Sequence, residues 1–514
     1  MSVTNNPQRE YGDQTLQQFG YRQEFRRELK RFASFAIGFS FISITTGIFT
    51  TYGSVLNWGG PLGIWTWPIV IVGQLFVSLV FAALASRLPL AGYSYQWISR
   101  LANPKIGWLV GWITFTFLIV DVVAVDYAIA QAVLPRLFNY TETAQNAWIA
   151  TGIVIVIQML LIIFSTLWSA RINSTAVGTE VVGIVGLALL LIIVGIARGI
   201  LHPDHLFSMG TIASTNYFSP GTWNATGPFM LSFLLGAFTI VGFEAAANMA
   251  EETQNAHRVV PTAMWLSVVL SGIVGFIFLI ALNLASGAIQ ASSVVSDVSL
   301  KGSATPVADI VTNTLGSIVG DIFLVLVTFS IFACGLVIFI TLTRLTWAMS
   351  RDQRFPGFQL FSRVNRSTNT PIAATILSGI LIEVVLAVFV GLALFANQAS
   401  PLTYLFSAAT LLPAIIYLAT VILYIWARRK LPQVRGFSLG VFEWPIIILS
   451  IVWLLFELAI FRDAQFATPW LYSLIMFAIG LIYFVWMLVT RPEVLRTPPQ
   501  IEVTVMEPGT TETS

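Results

Sequence analysis

Twelve apolar segments follow one another along the chain, at about 33–55, 61–85, 106–134, 147–168, 174–197, 228–250, 262–286, 318–349, 371–392, 402–427, 442–460 and 469–490. Each is near or above the roughly 20 residues an α-helix needs to cross a bilayer. The pattern predicts an all-α polytopic membrane protein with twelve membrane-spanning helices, numbered here as spans 1 to 12. Residues 1–31 are polar and end in a basic cluster of Arg22, Arg26, Arg27, Lys30 and Arg31. They read as a cytoplasmic tail carrying a short amphipathic helix on the membrane surface. The membrane domain then occupies 32–490. The tail 491–514, rich in Thr, Glu and Pro, is expected to be disordered.

Two spans are interrupted midway. In span 1, Ile44-Thr45-Thr46-Gly47-Ile48 sets two β-branched hydroxyl residues and a glycine near the membrane centre, where helix propensity should be high. In span 6, Phe238-Thr239-Ile240-Val241-Gly242 does the same. Small and hydroxyl residues also serve as ordinary packing positions in membrane helices. Paired interruptions in corresponding helices point instead to a binding site at the midplane. Such a break leaves N–H groups on one side and C=O groups on the other, suited to a carboxylate and an ammonium respectively.

Composition removes the alternatives to a membrane protein. Hydrophobic residues make up 56% of the 514 and charged residues 10%, more apolar surface than a soluble domain can hide. The net charge of +2 gives nucleic-acid binding no support. A single cysteine, Cys334, allows no internal disulfide, and no metal site or cofactor is expected. Nor is a cleavable signal peptide, since the polar N-terminal stretch is too long for one.

Basic residues set the orientation. Arg87, Arg100, Lys105, Arg171, Arg258, Arg351, Arg354, Arg363, Arg366, Arg428, Arg429, Lys430 and Arg435 fall in alternate loops, and the opposite loops hold Arg136, Arg198, Lys301 and Arg462. The positive-inside rule puts both termini in the cytoplasm, with the plasma membrane the expected location. The connection 86–105 reads as a re-entrant or interfacial loop on that side. Thr305 to Leu315, outside, is either a short capping helix or an unstructured loop.

Gln-Glu-Phe-Arg-Arg at 23–27, the TTGIF core, RLPLAGYSYQW, GFEAAANMAEET at 242–253 and RLTWAMSRD at 344–352 together resemble the amino acid–polyamine–organocation superfamily of transporters. The likeness is greatest to its amino acid and choline branch, which contains GABA and choline permeases. It implies a leucine-transporter type of fold. Spans 1–5 (33–197) and 6–10 (228–427) would form inverted repeats with spans 1 and 6 broken, and spans 11 and 12 (442–490) would be added outside. It also implies an aromatic gate matching Phe238 and small residues matching Thr45-Thr46-Gly47, although Thr-Thr-Gly replaces the family's common Gly-Ser-Gly.

Candidate site residues follow. Thr46 and Gly47 are expected to present backbone amides to a carboxylate. Carbonyls preceding Thr45, including that of Ile44, and those from Phe238 through Thr239 and Ile240 to Val241 would take an amine, with Gly242 completing the break. Intramembrane acids are costly and usually functional. Asp121, in the middle of span 3, is either the partner of a substrate's distal cation or a structural hydrogen-bonding group. Asp126 is five residues on, about 140° round the helix. Glu180 lies about six residues into span 5, roughly 9 Å from its cytoplasmic end. Resemblance aligns it with a lysine linked to proton coupling, which makes it the lead proton carrier; pairing with Arg171 is the alternative. Glu244 is expected to tie span 6 to its neighbours. Glu383 and Glu457 have no evident partner, and Ser330 and Thr328 could serve sodium.

The expectation is a permease that moves a small amino acid or amine such as GABA by alternating access, in symport with a proton or by exchange. Alternatives are a sodium-coupled choline or polyamine transporter, a non-transporting nutrient sensor on the same fold, and a channel, which lacks its expected polar stripe. An enzyme has no support, because His202, His205 and His257 all lie in loops, and two histidines are too few for a catalytic metal.

Overall fold

The structure is a computed structural model that describes residues 16–496, apart from 18–19, 140, 142, 165, 213–215, 287–304, 366, 397–400, 430 and 432–435. The C-terminal stretch 497–514 and residues 1–15 lie outside it. Among the described residues there is helix but no strand, only two isolated bridges. The helices named below are α1 (Arg31–Ile42), α2 (Ile44–Gly59), α3 (Thr66–Arg87), α4 (Tyr93–Leu101), α5 (Pro104–Ala128), α6 (Ala144–Phe164), α7 (Thr166–Arg198), α8 (Phe233–Thr239), α9 (Ala245–Asn248), α10 (Ala256–Ala285), α11 (Pro306–Leu315), α12 (Ser317–Arg351), α13 (Ile372–Ala396), α14 (Pro401–Ala427), α15 (Glu443–Ile460) and α16 (Ala467–Thr490). Eleven helical stretches, α1 and α2 counted as one, are long and apolar enough to cross a membrane; Pro228–Thr239 is a shorter apolar one.

The bundle centres on α1, α2, α8 and α9, and the other helices enclose them. α3 packs on α10, α5 on α12 and α14, and α7 on α1 and α10. α6 and α13 pair at one flank, while α15 lies on α3 and α14, and α16 on α5 and α14. Outward faces carry exposed aliphatic side chains such as Ile149, Ile153, Ile193, Ile196, Val452, Leu455, Ile482 and Val489. That is the surface a hydrocarbon solvent requires, with the backbone of each lipid-facing helix paired along its own length.

Three regions add to or differ from the sequence expectation. Residues 20–30 are not helical, and a short helix in the N-terminal segment would have to involve 1–15 or 18–19, which lie outside the described residues. Tyr21, Phe25 and Leu29 recur every fourth position as on an amphipathic helix, but each is buried in a separate seat on the bundle. Phe25 meets Trp347 edge-on at 4.6 Å, and Leu29 pairs with Thr253 as a parallel bridge. The helix of span 5 begins at Thr166, not near 174, because 166–173 contains no breaker. Glu180 is therefore fourteen residues in, about 21 Å along the helix. The third region is 86–105, where α4 is a buried helix carrying Tyr95, Trp97 and Ile98 inward. At the opposite end α11 is helical, of the two alternatives, and Arg136 meets its Asp309 at 2.6 Å.

Candidate substrate site

The first break lies at Ser43, just ahead of the Thr-Thr-Gly run. Its φ of 37° and ψ of 90° turn the chain out of α1. Ser43 N–H donates to Phe39 C=O at 2.9 Å and ends that helix. The same residue then starts α2: its Oγ accepts Thr46 N–H at 3.3 Å, and its C=O accepts Gly47 N–H at 3.0 Å. Serine is a good N-cap, and β-branched threonines are tolerated in a first turn. The amides of Thr46 and Gly47, expected to be open, are thus engaged by Ser43.

The second break runs from Ile240 (φ −93°, ψ 56°) to Glu244. Gly242 has φ of +81°, and a Cβ there would run into the Phe41 ring, so only glycine fits. Its N–H donates to Tyr417 Oη at 3.0 Å, and Tyr417 in turn donates to the Glu244 carboxylate at 2.7 Å. Glu244 so ties span 6 to α14. Gly47 permits the other close approach: a Cβ there would overlap the Thr239 side chain.

Between the breaks is a small cavity. Of the sequence candidates, Thr46, Gly47, Asp121, Phe238 and Val241 line it, and Ile44, Thr45, Thr239, Ile240 and Gly242 do not. Phe41, Ile42, Val125, Cys334, Ile338 and Ala409 complete the wall. Phe41 and Ile42 adjoin the break in the sequence; the others arrive from α5, α12 and α14 and left no local signal. Phe238 also borders a second, more open space lined by Thr50, Ser54, Trp58, Ser407 and Thr410. The Phe238 ring stands edge-on to Phe406 with centroids 4.5 Å apart, between the two spaces.

The intramembrane acids separate by environment. Asp121 lines the cavity and has no hydrogen-bond partner among the described residues. Asp126 accepts from Gln158 at 2.9 Å, and Glu457 from Gln74 at 3.2 Å. Glu383 approaches Gly152 of α6. The Glu180 carboxylate is buried at the N-terminus of α2: Oε1 accepts Thr45 N–H at 2.8 Å and faces Ser43 Oγ at 3.3 Å. Arg171, its alternative partner, stacks over Trp168. Thr328 donates to its own helix at Leu324 C=O, whereas Ser330 Oγ is buried with no partner among the described residues.

The end of the bundle bearing the N-terminal segment is sealed. Asp352 accepts from Tyr21 at 2.8 Å, Tyr95 at 2.7 Å and Gln96 at 3.0 Å. Burial, reinforced by the Asp352 charge, raises the Tyr21 and Tyr95 phenols above their ordinary range, so both remain donors. Glu251 pairs with Arg351 at 3.0 Å, and Glu252 with Arg344 at 2.7 Å. The 250–252 end of span 6 is thereby clamped to α12.

A family described as "Amino acid permease" matches residues 29–489. An uncharacterized amino-acid permease of Schizosaccharomyces pombe is 27% identical over 70% of this chain and 66% of its own length, just under two thirds. Amino-acid permease BAT1 of Arabidopsis thaliana is 28% identical over 87% of each chain. The GABA-specific permease of Saccharomyces cerevisiae is 26% identical over 85% of this chain and 75% of its own.

Proposed function

Because the chain belongs to the amino acid permease family, we propose that it is a secondary transporter that carries a small amine or ω-amino acid such as GABA by alternating access, coupled to protons. The observation that carries the substrate reading is Asp121, a buried carboxylate that faces the cavity with no hydrogen-bond partner among the described residues. A buried charge without a partner is costly, and an ammonium group supplies the partner. At the start of α2 the amides of Thr45, Thr46 and Gly47 are already taken by Glu180 and Ser43. An ammonium is therefore the group this cavity is built to hold.

Twelve crossings in two inverted repeats account for the packing. Four contacts come in matched pairs: α1 on α10 and α8 on α3, α1 on α7 and α8 on α14, α5 on α14 and α12 on α7, α5 on α13 and α12 on α6. The breaks at Ser43 and Ile240 correspond, as do α4 and α11 at opposite ends. With both termini cytoplasmic, the sealed end is the inner gate and the open space beyond Phe238 leads outward.

Glu180 supports proton coupling. A negative charge at a helix N-terminus is worth about 0.3–1 kcal/mol, and up to about 2 when partly buried. Protonation removes that attraction and loosens α7 from α2; deprotonation restores it. A proton that alters one conformation more than another is what coupling needs. Sodium is the second reading, favoured by the Ser330 hydroxyl, which is buried without a partner among the described residues. Uptake into proteoliposomes of a panel of amino acids, GABA, choline and polyamines, under imposed proton or sodium gradients, tests the proposal. Accumulation of an amine under an inward proton gradient is expected; no response to protons, or transport confined to substrates without an ammonium, contradicts it.

A further inference from the structure

The connection between α7 and α8 folds a tight turn, Pro203–Phe207, against the end of the bundle away from the N-terminal segment. It is held there by several independent bonds. His202 N–H donates to Leu284 C=O at 2.9 Å, Leu62 N–H donates to Ser208 C=O at 2.9 Å, and Trp65 Nε1–H donates to Leu206 C=O at 2.7 Å. Phe207 stacks on the Trp65 ring at 5.7 Å. On this pinned turn His202, Asp204 and His205 converge, with one ligand atom of each within 4.8 Å of the others. The two imidazoles lie nearly parallel, centroids 5.1 Å apart.

The tautomer of His205 follows from its neighbour. Ser286 Oγ has one proton and donates it to Asn283 C=O at 2.7 Å. The 2.8 Å contact between His205 Nδ1 and the same Oγ is therefore an Nδ1–H donor on a hydroxyl acceptor. Nε2 then carries the lone pair, which is the arrangement of a metal-ligating histidine whose other nitrogen is held by an outer hydrogen bond. His205 is 7% exposed, while the His202 and Asp204 side chains are 43% and 74% exposed, so the latter two can turn without disturbing the fold.

We propose that His202, Asp204 and His205 form a binding site for a zinc-class divalent transition ion, unconnected with the substrate cavity. Two imidazoles and one carboxylate are a zinc donor set, with a fourth position left to water. Metal–ligand distances of about 2.0–2.2 Å require the three ligand atoms to draw together by rotation of the two exposed side chains. Imidazole donors select zinc, copper or nickel over calcium and magnesium, which prefer all-oxygen shells.

The test is calorimetric titration of the full-length protein in detergent with ZnCl₂, CaCl₂ and MgCl₂. One zinc per chain is expected, with no calcium or magnesium heat. The exposed substitutions H202A and D204A should each weaken zinc at least tenfold while leaving the melting temperature of the metal-free protein unchanged. S286A, which frees the Nδ1 proton but removes no ligand, should weaken it roughly 10–100-fold, as outer-shell losses do. Absence of saturable zinc binding overturns the proposal, and so does zinc binding that H202A and D204A leave intact.

Discussion

The Glu180 carboxylate of α7 accepts the Thr45 backbone N–H at 2.8 Å, so the protein's own acid occupies the positive end of the broken helix in span 1. Ser43 takes the next two amides. Two consequences follow. A substrate carboxylate would find no open donor at Thr45, Thr46 or Gly47, and on the proposed function recognition then rests on Asp121. If the chain works by the proposed alternating access, the charge state of Glu180 acts directly on the hinge at the start of α2.

Asp121→Asn keeps the shape of the cavity wall and removes its charge. Loss of a desolvated ion pair is worth on the order of 2–5 kcal/mol, so affinity for an amine substrate should fall by more than tenfold in a direct binding measurement. Unchanged affinity would make Asp121 a structural residue.

Gly47→Ala tests the contact between the two broken helices. The added methyl meets Thr239, and overpacking of this kind costs about 1–3 kcal/mol. The melting temperature should drop, and Thr239→Ala in the same chain should recover part of the loss, because two of the three colliding atoms are then gone. Additive losses would contradict the contact.

Cys334, the single cysteine, lines the cavity beneath Phe238. A small cationic thiol reagent added from outside should label it slowly, and substrate should protect it. Phe238→Ala opens the ring pair with Phe406 and should speed labelling about tenfold or more. Equal rates would show that Phe238 is not the barrier.

Apolar runs and interrupted propensity were enough to read the membrane class and both breaks to within a few residues, since those signals are local. The turning point itself, Ser43, is set by its own backbone conformation and its caps on Thr46 and Gly47, which a propensity pattern does not resolve to a single residue. The pairing of Glu180 with Thr45 spans 135 positions and leaves no trace in either segment. Asp204 was passed over as a partner for His202 and His205 because only the tight turn at Pro203 brings the three together.

The most direct test of the central claim is counterflow and gradient-driven uptake compared in Glu180→Gln proteoliposomes. The amide keeps an oxygen for the Thr45 N–H but cannot gain or lose the proton. Substrate exchange at equal concentrations should proceed, substrate affinity should become nearly independent of pH, and accumulation under an inward proton gradient should vanish. In the wild type, raising the pH should favour the conformation described here, with Glu180 charged against α2, and lowering it should release that conformation. Accumulation by Glu180→Gln equal to wild type would contradict the account and move the proton to another acid or the coupling to sodium.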